Sequence, residues 1–167
     1  GLHWPGVANA DFPYIQNDWT KGAPVAALVF YRALVQAGNL WAVDAMIEGL
    51  TNAGLNTIPI FITSLKDPVA AAILETFLVE ARPNVILNAT GFAFSPPGQP
   101  RILGPFDCYF NSEASPPVLQ VVFAGGNLED WRATSRGLSA RDIAMNVALP
   151  EVDGRVLTRA VSFKGLA

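Results

Sequence analysis

Three short stretches of the sequence place possible ligand-binding groups directly after apolar runs. They are Tyr31-Arg32, the run 88–91 with Asn88 and Thr90, and the pair Gly125-Gly126. Continuous apolar runs indicate strands buried on both faces of a parallel sheet, and ligands of such sheets bind beyond the carboxyl ends of the strands. We therefore expect these turns to border one ligand crevice.

The chemistry that these turns offer is the recognition of carboxylates and amides. The guanidinium of Arg32 could hold a carboxylate or an amide oxygen through two hydrogen bonds. Gly125 and Gly126 would let a ligand approach the backbone and the free amide hydrogens of the next helix. Each feature also has a plainer interpretation, an ion pair of Arg32 with Asp44 or Asp67 and a simple tight turn at the glycines.

Two carboxylates, Glu151 and Asp153, lie two residues apart before Gly154. This spacing can support proton transfer or a transient metal contact, but an Asp-Gly pair is also typical of a turn, which is the interpretation we prefer.

The sequence contains no G-x-S-x-G, G-x-G-x-x-G or Walker motif. Cys108 and His3 are too far apart in the chain to indicate a zinc site, so we expect Cys108 to be inert.

The elements that must position these groups alternate along the chain. Apolar patterns predict strands at 25–30, 58–62, 85–87, 118–124 and 156–163, with helices at 39–54, 67–82 and 139–150 and a helical turn at 128–131. This order predicts an α/β fold with a parallel sheet, right-handed crossovers and helices on both faces. We expect a Rossmann-like or flavodoxin-like three-layer domain of about five strands.

Several residues mark where these elements begin and end. The predicted helix N-caps are Asn39, Asp67, Asn127 and Ser139. Gly54 and Pro150 are expected to end helices, since glycine favours the left-handed C-terminal position and proline lacks the amide hydrogen. For the same reason Pro59 places its strand at or near a sheet edge, and alternation along 156–163 suggests the other edge.

The chain divides into an arm and one domain. Residues 1–22 carry aromatic anchors without a sustained period and are predicted to form an irregular arm that belongs to a preceding segment, whereas 23–167 form a single α/β domain. Within it, the Pro-rich run 90–117 is expected to be a long loop. Loops of this length are functional lids or segments held by a neighbour, and a plain surface excursion is the alternative.

Composition limits the class of function. Eleven Lys and Arg against fourteen Asp and Glu give a net charge of -3 without any basic run, which argues against a nucleic-acid partner. No apolar run is long enough to span a bilayer, and one cysteine favours a reducing compartment such as the cytoplasm. Only 15% of residues are charged, and the mean hydropathy is +0.31. We expect the apolar excess to be covered by the rest of a larger protein; a secreted domain is the alternative.

Four stretches together resemble a known family. They are 64–68, 87–92, 118–126 and above all 137–164, which reads GLSARDIAMNVALPEVDGRVLTRAVSFK. These stretches are similar to the large subunit of aerobic cobaltochelatase, CobN, and to the related porphyrin-binding H subunit of magnesium chelatase. The run Tyr31-Arg32-Ala33-Leu34 keeps an arginine but lacks the histidine of the magnesium branch, which favours the cobalt branch.

The resemblance implies ATP-dependent insertion of Co²⁺ into hydrogenobyrinic acid a,c-diamide during cobalamin synthesis. It implies a AAA+ ATPase subunit, CobS, which would carry ATP-Mg²⁺, an integrin-type subunit, CobT, and the remainder of the large subunit as partners, with no cofactor resident in this fragment. Arg32 would hold a peripheral carboxylate of the tetrapyrrole. Glu151 would have a metal or proton role. Hydrogen bonds to amides and carboxylates would come from Asn88, Thr90, Gly125 and Gly126.

Two other interpretations stay open at this point. A purely structural domain that transmits the motion of the ATPase partner would touch no substrate, and its three turns would be splayed apart. A free-standing small-molecule sensor of the periplasmic-binding type would be a complete secreted protein.

Overall fold

The computed structural model describes residues 1–95, 98, 104–106, 116–133, 135 and 137–165. Its strands are β1 (Val25–Tyr31), β2 (Asn56–Ile62), β3 (Val85–Asn88), β4 (Val118–Asn127) and β5 (Val156–Lys164). Its helices are α1 (Phe12–Asn17), α2 (Arg32–Gln36), α3 (Trp41–Asn52), α4 (Pro68–Ala81), α5 (Leu128–Ala133), α6 (Ala140–Ile143) and α7 (Leu149–Val152). A π-helical segment, Ala144–Ala148, joins α6 to α7.

The five strands form one parallel sheet in the order β2-β1-β3-β4-β5. This order confirms the predicted α/β class and is that of flavodoxin-like folds. The direction of strand succession reverses between β1 and β3, so the carboxyl ends of these two strands flank the switch point of the sheet. Register pairs Val29 of β1 with Asn88 of β3, which brings the turns after both strands to the same end.

The sheet separates two apolar cores, as the alternation of strands and helices along the chain predicted. One core lies between the sheet and α1, α4 and the arm, and includes Phe12, Ile15, Ile60, Leu74, Leu78 and Ile86. The other lies under α3 and includes Leu28, Phe30, Val43, Ile47 and Val121. Helices therefore cover both faces, which completes the expected three layers.

Pro59 lies within the edge strand β2, as predicted. Its carbonyl oxygen accepts a hydrogen bond from the backbone N–H of His3 over 3.1 Å, and the arm adds a bridge between Leu2 and Ile60. Since the carbonyl and the nitrogen of one strand residue point to the same side, the nitrogen of Pro59 faces away from β1. The ladder to β1 therefore loses no donor at the proline.

The arm contains a helix that the sequence did not indicate. α1 begins after Asp11, whose carboxylate accepts from Tyr14 N over 2.9 Å, and it buries Phe12 and Ile15. The six residues of α1 are too few to show a helical period. The arm nevertheless shares one core with the sheet.

Three of the four predicted N-caps are confirmed by their hydrogen bonds, and one is wrong. Asp67 accepts from Val69 N at 3.0 Å, Asn127 from Asp130 N at 2.7 Å and Ser139 from Asp142 N at 3.1 Å. Asn39 is not the cap, because α3 begins at Trp41 and its N-cap residue is Leu40. The N–H of Asn39 donates to Leu34 O at 2.9 Å and completes the C-terminal turn of α2. Gly38, with φ of 64°, supplies the left-handed residue of that turn.

The prediction that Pro150 stops the last helix is also wrong. Pro150 lies in the first turn of α7, which continues to Val152. The preceding π-helical segment interrupts the regular α-helical ladder, so the proline starts a new α-helical turn where its missing amide hydrogen matters little. Gly54 ends α3 as expected, with φ of 83°.

None of the helices within the described ranges is both long and apolar enough to cross a membrane.

Candidate functional site

The turns after β1 and β3 are joined by a side-chain hydrogen bond. The hydroxyl of Tyr31, the last residue of β1, donates to the carbonyl oxygen of Gly91 over 3.0 Å. Burial raises the pKa of Tyr31, and the charge of Arg155 opposes this rise. The hydroxyl is therefore a neutral donor near physiological pH, at the switch point of the sheet.

Asn88 and Thr90 belong to a buried polar network with Gln120 of β4. The Asn88 side-chain amide donates to Gln120 Oε1 at 2.8 Å, and Gln120 Nε2 donates to Thr90 O at 2.8 Å. The hydroxyl of Thr90 donates to Asn88 Oδ1, also at 2.8 Å. Asn88 and Thr90 are 0% exposed, so these side chains support the turn after β3 from below.

The turn after β3 is pressed against the π-helical segment. A Cβ atom at Gly91 would lie 2.9 Å from Asn146 Oδ1 and 3.0 Å from the Met145 carbonyl oxygen. Phe92 N donates to the same carbonyl at 2.8 Å, with φ of 65°. A bulky residue in the left-handed region is strained, and strain of this kind concentrates at functional sites.

β4 runs on to Asn127, so Gly125 and Gly126 belong to its carboxyl end and not, as predicted, to a turn after it. Asp142 connects this end of β4 to the π-helical segment. Its Oδ1 accepts from Gly125 N at 3.0 Å and from Asn146 Nδ2 at 3.4 Å, while its Oδ2 accepts from Ser139 Oγ at 2.8 Å. Asp142 is 6% exposed. Sequence reasoning assigned it no functional position; its only signal was its place three residues after the cap Ser139.

Asp153 ties the start of the long 90–117 connection to the start of β5. Its carboxylate accepts from Phe94 N at 2.6 Å, Ser95 N at 2.9 Å and Arg155 Nη2 at 2.7 Å. The preferred turn interpretation also holds, since Gly154 has φ of 72°. Glu151, by contrast, is exposed on α7, so the two carboxylates lie in different environments.

Two hollows open at the carboxyl ends of β4 and β5. One, of about 410 Å³, lies towards α5 and α6 and is lined by residues that include Gly126, Asn127, Trp131, Ser139, Asp142 and Phe163. The other, of about 510 Å³, lies towards α2 and α3 and is lined by residues that include Leu34, Asn39, Trp41, Gly125, Phe163 and Lys164. Phe163 borders both, and its ring lies 5.1 Å from that of Trp131. Trp41 and Trp131 are 57% and 40% exposed.

Arg32 lies apart from these two hollows. It is the exposed first residue of α2 and lines a smaller hollow of about 170 Å³ beside Asp67 and the end of β2. Neither alternative ion pair forms within the described part of the chain. Asp44 accepts from His3 Nε2 at 2.6 Å, and Asp67 binds Thr63 and the first turn of α4.

The carboxyl ends of β1, β3, β4 and β5, with the turns that follow them, form one edge of the sheet, which we call the rim. Gly125 and Gly126 line the two hollows at the rim, Asn88 and Thr90 are buried beneath the turn after β3, and Arg32 and Glu151 lie outside both hollows. Their roles in substrate binding and catalysis stay predictions. Among the described residues, no group of three or more His, Cys, Asp or Glu side chains is arranged to hold a metal ion. Cys108 and most of the 90–117 loop lie outside the described residues.

Comparisons with known proteins agree on one family. The profile of the CobN/Magnesium Chelatase family matches residues 4–167. The aerobic cobaltochelatase subunit CobN of a Sinorhizobium species is 49% identical over 144 residues, which cover 84% of this chain and 11% of that protein. The protein of the same name from Pseudomonas aeruginosa is 42% identical over 166 residues, which cover 99% of this chain and 13% of that protein.

A solved structure has the same architecture. The catalytic subunit of cobaltochelatase from Mycobacterium tuberculosis superposes with a TM-score of 0.69 at 28% identity, over 87% of this chain and 12% of that one. The chain therefore belongs to the CobN/Magnesium Chelatase family, as the resemblance of 137–164 predicted. It spans between 11% and 13% of the length of these relatives.

Proposed function

We propose that this chain forms part of the tetrapyrrole-binding wall of a cobaltochelatase large subunit. The subunit inserts Co²⁺ into hydrogenobyrinic acid a,c-diamide during cobalamin synthesis, with ATP-Mg²⁺ hydrolysed by the AAA+ subunit CobS and with the integrin-type subunit CobT. The remainder of the large subunit supplies the rest of the cavity. Membership of the family supports the reaction, and the shape of the rim supports the place of the substrate.

The observation that carries this proposal is the pair of hollows around Phe163. A tetrapyrrole macrocycle is bound well by an extended apolar surface with aromatic side chains and a few polar groups at its margin. Trp41, Trp131 and Phe163 supply aromatic surface on both sides of the β4–β5 ends, and Lys164 supplies a positive charge. From β1 to β5 the rim covers three strand spacings, roughly 14 Å, which suits a macrocycle better than a small metabolite.

The geometry of the turns favours this proposal over a purely structural domain. Splayed turns were expected of the structural alternative. Instead, Tyr31 is bonded to Gly91, and the segment of Met145 and Asn146 contacts both Gly91 and Asp142, which holds Gly125. The three turns therefore form one connected rim, and a ligand crossing it would contact all of them.

Within this proposal, Gly125 and Gly126 let the macrocycle approach the backbone, while Asn88 and Thr90 hold the turn that bears Gly91 and Phe92. Arg32 remains a proposed carboxylate ligand and Glu151 a proposed proton or metal ligand. In the present arrangement both would have to meet parts of the substrate that extend beyond the rim.

Binding of the tetrapyrrole to the intact large subunit tests the proposal. We expect Trp131→Ala to raise the Kd several-fold, because an aromatic contact of this kind contributes about 1 kcal/mol beyond buried area. Val79→Ala, at a 58% exposed position on α4, is the matched control and should leave the Kd unchanged. Equal affinities of both variants and the unmodified subunit would place the substrate elsewhere.

Two further measurements separate the parts of the proposal. Unchanged binding after Arg32→Ala would remove the arginine from the substrate site. Cobalt insertion by the assembled enzyme without ATP or without the AAA+ subunit would contradict the proposed reaction.

A further inference from the structure

Arg155 presents buried hydrogen-bond donors that the surrounding protein leaves unused. Its side chain is 3% exposed, and its Nη2 donates to Asp153 Oδ2 over 2.7 Å. Nε and Nη1 are also buried, yet they find no acceptor among the described residues. Buried donors are satisfied in the great majority of cases, and an unpaired one destabilises the fold, so such donors indicate an acceptor beyond the described residues.

The carboxylate that pairs with Arg155 also accepts hydrogen bonds from other donors. The carboxylate of Asp153 also accepts from two backbone amides, Phe94 N and Ser95 N. The ring of Phe106 lies 5.8 Å from the guanidinium carbon and offers no conventional acceptor. A second anionic oxygen would therefore complete the surroundings of this guanidinium better than a neutral group would.

The position of the guanidinium links it to the switch point of the sheet. Its partner Asp153 binds Phe94 N and Ser95 N, which follow Gly91 in the chain, and the carbonyl oxygen of Gly91 accepts from the hydroxyl of Tyr31 at the end of β1. In open parallel sheets this is where ligands bind. Tyr31 is only half-buried, so this end of the sheet is in contact with solvent.

We propose that Arg155 forms a carboxylate subsite next to the connection that follows β3, at the switch point, and that this subsite holds a peripheral carboxylate of the tetrapyrrole. The assignment rests on the proposed function and deepens it. It gives the charge-recognition role to a buried arginine that precedes β5, in addition to or in place of the exposed Arg32.

The experiment compares two ligands on the intact large subunit. One is hydrogenobyrinic acid a,c-diamide, which keeps free carboxylates, and the other is its fully amidated form. We expect Arg155→Gln to raise the Kd of the carboxylate form about tenfold or more, because a hydrogen bond to a charged group is lost. The Kd of the amidated form should change little.

Two variants complete the design. Arg155→Lys keeps the charge but not the planar donor set, so we expect an intermediate loss that is again confined to the carboxylate form. Arg159→Gln removes an exposed positive charge from β5 and is the matched control, with both Kd values unchanged. Thermal unfolding of each variant identifies any that does not fold; the ligand comparison then rests on Arg155→Lys.

The possible failures are distinguishable. If the unmodified subunit binds neither ligand, the proposed function is wrong and the subsite falls with it. If the unmodified subunit binds the carboxylate form and the Arg155 variants bind it equally well, or lose both ligands to the same extent, the subsite alone is wrong and Arg155 has a purely structural role.

Discussion

At the scale of single residues, polar side chains in the apolar interior support the rim. Asn88, Thr90 and Gln120 form hydrogen bonds with one another, and this buried network supports the turn after β3. We expect Asn88→Ala to lower the free energy of unfolding by about 1–3 kcal/mol, because it leaves buried groups of both partners unpaired. Denaturant unfolding measures this change.

The control for that variant is Asn52→Ala, at an exposed position at the end of α3. A surface substitution of this kind should stay within about 0.5 kcal/mol. Similar losses for the two asparagines would show that the buried network contributes nothing special.

Gly91 is required by close approach rather than by its backbone angles. Because an added Cβ would meet Asn146 Oδ1 and the Met145 carbonyl at 3.0 Å or less, we expect Gly91→Ala to destabilise the protein by about 1–3 kcal/mol. Gly49→Ala in α3, where a Cβ meets nothing within 4 Å, should instead stabilise it by up to about 1 kcal/mol. Thermal or denaturant unfolding gives both signs, and destabilisation by both variants would contradict this reasoning.

At the scale of elements, the N-cap of α4 makes stability depend on pH. Hydrogen bonds from Thr63 and from Val69 N lower the pKa of Asp67 in the folded protein. A lowered pKa stabilises the fold above the ordinary range of an aspartate, and this stabilisation is lost as the pH falls through the folded-state value.

We therefore expect Asp67→Ala to lower the Tm near pH 7, with a difference from the unmodified protein that narrows as the pH falls below about 4. Asp18→Ala, at an exposed position after α1, is the control and should show no such dependence. A difference in Tm that stays constant between pH 7 and pH 3 would exclude the charged cap as its source.

The elements that the sequence predicted are those whose signals are local. Buried strands, the Asp67-Pro68 helix start and the edge position of Pro59 each follow from neighbouring residues, and so did the parallel sheet. α1 was missed because it is short, and Asn39 was misassigned because it lies in the turn that ends α2, one residue before the N-cap of α3.

The site was only partly predictable for the same reason. The sequence indicated the turn of Gly91 because it follows a strand, and it indicated the glycines at the end of β4, although that strand extends past them to Asn127. The contacts of Asp142 with Gly125 and of Asp153 with Phe94 join residues that the fold, and not the spacing, brings together. The motif 137–164 carried the family resemblance, yet its spacing gave no sign that its polar residues bind two separate turns.

At the scale of the molecule, the two edges of the sheet differ. The arm covers β2, whereas β5 exposes apolar side chains, with Val156 59%, Leu157 38% and Val161 41% exposed. Uncovered edge strands favour pairing between molecules. That the rest of a large subunit normally covers this edge remains our proposal.

We expect the chain on its own to self-associate through β5 and Val161→Lys to reduce this association, since a charged side chain blocks edge pairing. Sedimentation velocity over a range of concentrations measures the effect. Val69→Lys places the same charge at a 68% exposed position on α4 and should leave association unchanged. Equal reductions by the two lysines would point to net charge instead of the edge.

The long connection between β3 and β4 has a consequence for folding. β1, β2 and β3 are linked through α3 and α4, whereas β4 can pair with β3 only after 89–117 have closed into a loop, at an entropic cost that grows with length. The half of the molecule that contains β4, α5 and β5 is thus expected to fold last and to unfold first. A ligand held there would bind only the fully folded state and would stabilise the least stable half of the molecule. The fraction of ligand bound and the fraction of molecules with β4 and β5 folded would therefore increase and decrease together.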